Sequence, residues 1–110
     1  MKRPNGGRGK TLAKVTPGLS HYTQTILYEE LWERPGLSQR DRSMITIAAM
    51  IALYRPDQMI GHMQTGMENG LTREELSEMI THLAFYTSWP NAQVAAGKLR
   101  DVIALGAAQP

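Results

Sequence analysis

The chain has no cysteine among its 110 residues. That removes disulfides, zinc-thiolate sites, thiol nucleophiles and dithiol redox chemistry together, and leaves oxygen and nitrogen groups to carry any reaction. No apolar run approaches the ~20 residues needed to cross a bilayer, and the amino terminus lacks the apolar centre of a signal peptide. The expectation is a soluble cytoplasmic protein that does not engage membranes. No two of the histidines His21, His62 and His82 stand at the i, i+4 spacing that builds a helical metal site. Gly-rich phosphate loops and a Gly-x-Ser-x-Gly elbow are absent as well, so nucleotide chemistry and serine hydrolysis have no support.

Acids are missing from the first 14 residues, where Lys2, Arg3, Arg8, Lys10 and Lys14 supply five of the twelve basic residues. The pI of about 9.2 is therefore that of a basic tail on a mildly acidic body, which is weak evidence for nucleic acid. Asn5-Gly6-Gly7-Arg8-Gly9 is a poor helix former. Residues 1–15 are expected to be a disordered tail and 16–106 one domain. A domain of this size has a marginal core of its own, which brings self-association into view from the start.

What the chain does have is helical periodicity and punctuation. After Thr16-Pro17-Gly18 a helix is predicted from Leu19 to Glu33, ended by Pro35-Gly36. At about 100° per residue, Leu19, Tyr22, Ile26 and Glu30 share one face, which puts a carboxylate inside an apolar stripe. Such a group either holds a proton near neutrality or is paired with an arginine or with water. Ser38 caps the next helix, with Asp41 three residues on. Met44 to Leu53 is apolar nearly all round and is expected to be covered on every side.

Tyr54-Arg55-Pro56 ends that helix, and Pro56 suits the first turn of another. There Met59, Met63 and Met67 form a core row, Gly66 permits close approach, and His62 lies on the flank, facing either the core or a cleft. Asn69-Gly70 closes this helix. Thr72-Arg73-Glu74-Glu75 is a capping box for a helix that buries Leu76, Met79, Ile80, Leu83 and Ala84. It carries His82 and Tyr86 one turn apart, with Glu78 placed for a surface pair with His82. Trp89-Pro90 breaks the chain before a last helix to Leu105, striped by Ala95, Leu99, Val102 and Ile103. The fold class is all-α, a compact bundle of about five helices.

The two helices around Asn69-Gly70-Leu71-Thr72 superficially resemble a helix-turn-helix DNA reader. Glu74, Glu75 and Glu78 on the would-be recognition helix have the wrong sign for phosphates, so no nucleic-acid partner is expected. What survives is a set of proton-transfer groups, Glu30, His62, His82 and Tyr86, with several arginines. They suit general acid and base work on a small anionic molecule.

Glu30-Leu31-Trp32-x-Arg34-Pro35-Gly36-Leu37-Ser38-x-Arg40-x-Arg42-Ser43, followed by the apolar helix, His62, Asn69 to Leu76, His82 to Tyr86 and Trp89-Pro90-Asn91-Ala92, resembles the carboxymuconolactone decarboxylase family. The resemblance spans residues 17 to 105 and favours the decarboxylase over the alkylhydroperoxidase branch. The latter carries a Cys-x-x-Cys pair where this chain has Arg55 and Gln58, so dithiol reduction of peroxides is excluded. The resemblance implies an all-α subunit in ring-shaped homo-oligomers, trimers or hexamers, with the pocket near subunit contacts. It also implies decarboxylation of γ-carboxymuconolactone to an enol lactone in aromatic catabolism, without metal or organic cofactor. On it, Glu30 and His62 form the catalytic proton-transfer pair. Arg34, Arg40, Arg42 and Arg55 are candidates to hold substrate carboxylate, and His82, Tyr86 and Trp89 shape the pocket. The chain lacks much of the amino-terminal segment usual in the full decarboxylase, which leaves a non-catalytic oligomeric ligand-binding or structural protein as the alternative.

Overall fold

The computed structural model describes residues 8–107. Among them are six α-helices, one π-helical segment and no strand: α1 Arg8–Val15, α2 Pro17–Tyr22, the π-helical segment Thr23–Leu31, α3 Gln39–Leu53, α4 Pro56–Glu68, α5 Arg73–Tyr86 and α6 Trp89–Ala107. Helix α4 packs against α3 and α6, and α5 packs against α6 and less extensively on α3. The core they enclose holds Ile47 and Ile51 of α3, Met59 and Met63 of α4, Leu76 and Ile80 of α5, and Ala95, Leu99 and Val102 of α6.

Local chemistry sets where these helices begin and end. The Ser38 hydroxyl accepts the Asp41 amide at 3.0 Å and starts α3. Tyr54 ends α3 in the left-handed region at φ 56°, and Pro56 opens α4. Gly70, at φ 112°, turns the chain out of α4. Thr72 and Glu75 then form both arms of the capping box, at 3.0 and 2.9 Å. The Asn91 side-chain amide donates to the Ile51 carbonyl at 2.9 Å and joins the start of α6 to the end of α3. At Gly66 an added Cβ would lie 2.9 Å from Leu71 Cδ1 and 3.1 Å from Ile47 Cδ1, so glycine is what lets α4 approach α3 this closely.

The amino-terminal region departs from expectation. Residues 1–7 of the expected disordered tail lie outside the described residues, but from Arg8 the chain is helical, because the helix formers Leu12 to Lys14 follow the glycines. The helix predicted over Leu19 to Glu33 is α2 running into the π-helical segment, whose i to i+5 bonding continues to the Trp32 amide on the Leu27 carbonyl at 2.9 Å. The Thr23 and Thr25 hydroxyls each donate to the carbonyl four residues back at 2.8 Å, a bonding pattern that bends helices. Glu30 is exposed, because the apolar residues that share its side of the segment are themselves uncovered.

Coverage is also less complete than the sequence implies. Helix α3 buries Ser43, Ile47 and Ile51 but leaves Ile45 and Leu53 56% and 63% exposed, because its neighbours lie on one side only. Met59 and Met63 are fully enclosed, while Met67 sits at the rim. The region from α1 to Leu31 packs along itself and makes no extended contact with α3 to α6. Among the described residues no helix is long and apolar enough to cross a membrane.

Replacing Gly66 with valine should lower the unfolding free energy by about 1–3 kcal/mol through overpacking against Ile47 and Leu71. Thr72→Ala should cost about 1 kcal/mol through loss of the cap. Urea unfolding of the two variants beside the parent checks both.

Candidate active site

His62 lies on the inward side of α4, in the turn between Met59 and Gly66, and is 9% exposed. No hydrogen bond or ion pair joins it to a described residue. Arg42 Nε is the one fully enclosed side-chain nitrogen or oxygen without a hydrogen bond among the described residues. The unbonded ring nitrogens of His62 therefore reach the molecular surface. Burial disfavours the charged ring and lowers its pKa from 6.5 to about 4. With only its own chain around it, His62 is a neutral imidazole that can accept a proton or donate an N–H hydrogen bond.

Glu30 stands near the end of the π-helical segment and is exposed, with no hydrogen bond or ion pair to a described residue. The chain thus brings no contact between the two residues the sequence pairs. Both are without partners among the described residues, one on a buried helix and the other on an uncovered segment.

The arginines separate into two groups. Arg40 is engaged with Glu75, whose other oxygen serves the capping box, and with Asp41 at 3.2 Å. Arg42 donates to the Arg34 carbonyl at 3.1 Å, so Arg40 and Arg42 both brace the junction of the 32–38 loop with α3 and α5. Arg34 carries an exposed side chain with no partner among the described residues. Arg55 donates to the Leu53 and Tyr54 carbonyls at 2.7 and 3.3 Å. It is the residue before α4, in a non-helical conformation at φ −120° and ψ 66°, and it is exposed.

His82 stacks on Tyr86 with ring centroids 4.7 Å apart in place of the predicted pair with Glu78, and Phe85 meets Trp89 edge to face at 5.4 Å. These four rings form an exposed aromatic cluster where α5 turns into α6. Trp89 also lines a small cavity of about 200 Å³ with Ile80 and Ala96. That cavity adjoins a groove of about 420 Å³ between α5 and α6, lined by Arg73, Ser77, Ile80, Thr81, Ala96, Leu99, Arg100 and Ile103. Sequence reasoning missed this groove. Its signal was the i, i+4, i+8 row Arg73, Ser77, Thr81 facing Ala96, Arg100 and Ile103. Neither Glu30 nor His62 lines either cavity.

The His62 pKa fixes a sign for stability against pH. The folded value lies below the unfolded one, so the contribution of the buried neutral ring is complete above pH 6.5 and is lost as pH falls toward 4. In a Glu30→Gln chain, which lacks the carboxylate assigned to this ring, the loss should be on the order of 3 kcal/mol across that window. Adding His62→Gln should abolish that part of the pH dependence, which urea unfolding at stepped pH measures.

A family model of the carboxymuconolactone decarboxylase family matches residues 17–101. The chain is 34% identical over 82 residues to a 4-carboxymuconolactone decarboxylase of Acinetobacter baylyi, covering 74% of this chain and 61% of that protein. It is 31% identical over 61 residues to a nitrosuccinic acid decarboxylase of Metarhizium robertsii, covering 56% of this chain and 43% of that protein. The chain therefore spans about three fifths and about two fifths of the lengths of these relatives. The matched region runs from α2 through most of α6 and contains Glu30, His62 and every candidate arginine and aromatic residue. The chain belongs to the carboxymuconolactone decarboxylase family.

Proposed function

We propose that this protein is a cofactor-independent carboxy-lyase acting on a small cyclic carboxylic acid or lactone, most specifically γ-carboxymuconolactone, and that it works as a homo-oligomer, a trimer or a hexamer. The observation that carries this is His62, a nine-tenths-buried imidazole with no partner among the described residues and with ring nitrogens at the surface. Two relatives named as decarboxylases of small acids, one of them a lactone, support the substrate class.

The chemistry follows from what the reaction requires. The bond from ring carbon to carboxylate breaks, CO2 leaves, and the electron pair moves into the unsaturated lactone. A proton is then added to carbon, so that R–COO⁻ and H⁺ become R–H and CO2. A ring that stays neutral down to pH of about 4 is a poor donor of that proton. A carboxylate beside it favours the charged ring and moves its pKa back toward neutrality. Glu30 is the residue assigned that part, with His62 delivering the proton and recovering it from solvent. Arg55, the residue before α4, and Arg34 are the cations left to hold substrate carboxylate. His82, Tyr86 and Trp89 supply the aromatic wall.

A second function is favoured by the α5–α6 groove, where two arginines and two hydroxyl residues surround an apolar floor that the proton-transfer groups do not line. There the protein would be a non-catalytic oligomer that binds a small anion.

Purified protein given γ-carboxymuconolactone should show saturable substrate loss with CO2 release. Glu30→Gln and His62→Gln should each lower kcat by about 100-fold or more, in the range of general acid–base catalysis, while Arg55→Met should mainly raise KM. No turnover at high enzyme concentration by an intact, folded protein would refute the carboxy-lyase and favour the binding function.

A further inference from the structure

Helices α5 and α6 are joined by two residues, Thr87 and Ser88, and pack side by side. A link this short makes them antiparallel, so the groove between them has two unlike ends. Arg73, in the first turn of α5, lies opposite Ile103 toward the end of α6, while Ala84 lies opposite Ala92 and Trp89 where α6 begins. Eleven residues of α5 separate Arg73 from Ala84, about 16 Å of helix. Charge stands at the first end and hydrocarbon at the second.

The charge is available to a ligand. Arg73 makes no hydrogen bond or ion pair with a described residue. Arg100 reaches back along α6, with its Nη2 3.9 Å from where a Cβ on Gly97 would stand, so its guanidinium turns toward the middle of the groove. It meets Asp101 at 3.3 Å with 79% and 45% of the two side chains exposed, and an exposed pair of this kind contributes little and gives way to a competing carboxylate. Glu74 and Glu78 stand one position on from Arg73 and Ser77, and among the described residues no carboxylate lines the groove. Past the arginines the polar groups are satisfied internally, the Thr81 hydroxyl donating to the Ser77 carbonyl at 2.9 Å. Buried Ile80 and Leu99 form the floor beside exposed Ala96. The smaller cavity of about 200 Å³ carries this apolar surface on to Trp89. At about 420 Å³, the groove alone is in the size range of small-molecule sites.

We propose that this groove binds an amphipathic monocarboxylate, with the carboxylate at Arg73 and Arg100 and the hydrocarbon body laid over Ile80, Leu99 and Ala96 toward Trp89. This rests on the binding function named above for the groove, whose ligand class it supplies, and it holds whether or not the chain also decarboxylates at His62. Guanidinium groups recognise a carboxylate through charge-assisted hydrogen bonds. The apolar floor contributes in proportion to the area taken out of water. An inorganic anion would satisfy the arginines and leave the floor wet, and an uncharged hydrocarbon would cover the floor and leave the guanidinium groups to water. A molecule with both parts uses the whole length of the groove.

Decanoate, kept below the concentration at which it self-associates, is titrated into the full chain while NMR follows the backbone amides and the Trp89 indole N–H. Saturable shifts should map to Ser77, Thr81, Ala96 and Trp89, and acetate should bind about 100-fold or more weakly, because it covers none of the floor. Arg73→Met and Arg100→Met should each weaken decanoate binding about tenfold, the loss of a hydrogen bond to a charged group. Decanamide, which keeps the chain and lacks the charge, should bind the parent protein no more tightly than decanoate binds these variants. Ala96→Leu fills an exposed position in the groove, and should remove decanoate binding while the rest of the spectrum stays that of the folded parent. Acetate that binds as tightly as decanoate overturns the inference and leaves a small-anion site in the groove. No saturable shift from either overturns both. Equal affinity for decanoate and decanamide, unchanged binding to a folded Ala96→Leu, or shifts confined to the surroundings of His62 also overturn it. Turnover does not enter these readouts, so the carboxy-lyase stands or falls separately.

Discussion

The close approach of α4 to α3 at Gly66 is the contact on which the rest of the body depends. Without a side chain there, Ile47 and Leu71 fill the space directly, and α4 is held with Met59 and Met63 in the core. His62 rides on the same turns, so the packing that secures the helix also buries the imidazole. The pKa of the ring is therefore a consequence of packing before it is a feature of any reaction. The Asn69 amide on the Ser43 hydroxyl at 3.0 Å and Asn91 on the Ile51 carbonyl close the same arrangement at its two ends.

What α4 gains in burial, the chain as a whole lacks. Four helices around one core leave an outer face of α3, an aromatic cluster at the end of α5 and the apolar residues Leu19, Tyr22, Ile26 and Leu31 in contact with water. Small domains bury a smaller share of their surface than large ones, and this chain carries more apolar surface than its own body covers. The uncovered apolar groups are the surface that the proposed homo-oligomer would cover.

Most of the helical framework was legible because it is written in local chemistry. Ser38, Pro56, Gly70 and the Thr72–Glu75 box mark helix ends by hydrogen bonds and dihedral angles that span three or four residues, and the structure places them as the sequence predicts. The misses share a different cause. That Met44 to Leu53 would be covered on every side, and that Glu30 would lie within a buried stripe, are statements about what lies across from a helix, and periodicity carries no information on that. The π-helical step from Thr23 onward shifts the stripe by a residue per turn, which a fixed 3.6-residue period cannot express. His62 was placed on a flank because its angular position is intermediate, and it is buried because the neighbouring helices close over that flank. Arg40 and Arg42 were indistinguishable from Arg34 and Arg55 by residue type. Only the fold shows that the first two are occupied by Glu75 and by the Arg34 carbonyl.

The central claim is that the Glu30 carboxylate acts in the proposed assembly on a ring whose burial favours its neutral form. NMR titration of His62 in the assembled wild-type protein tests it most directly. The account predicts a midpoint well above 4, which falls to about 4 in Glu30→Gln with the assembly intact. A midpoint that is the same in both proteins would contradict it.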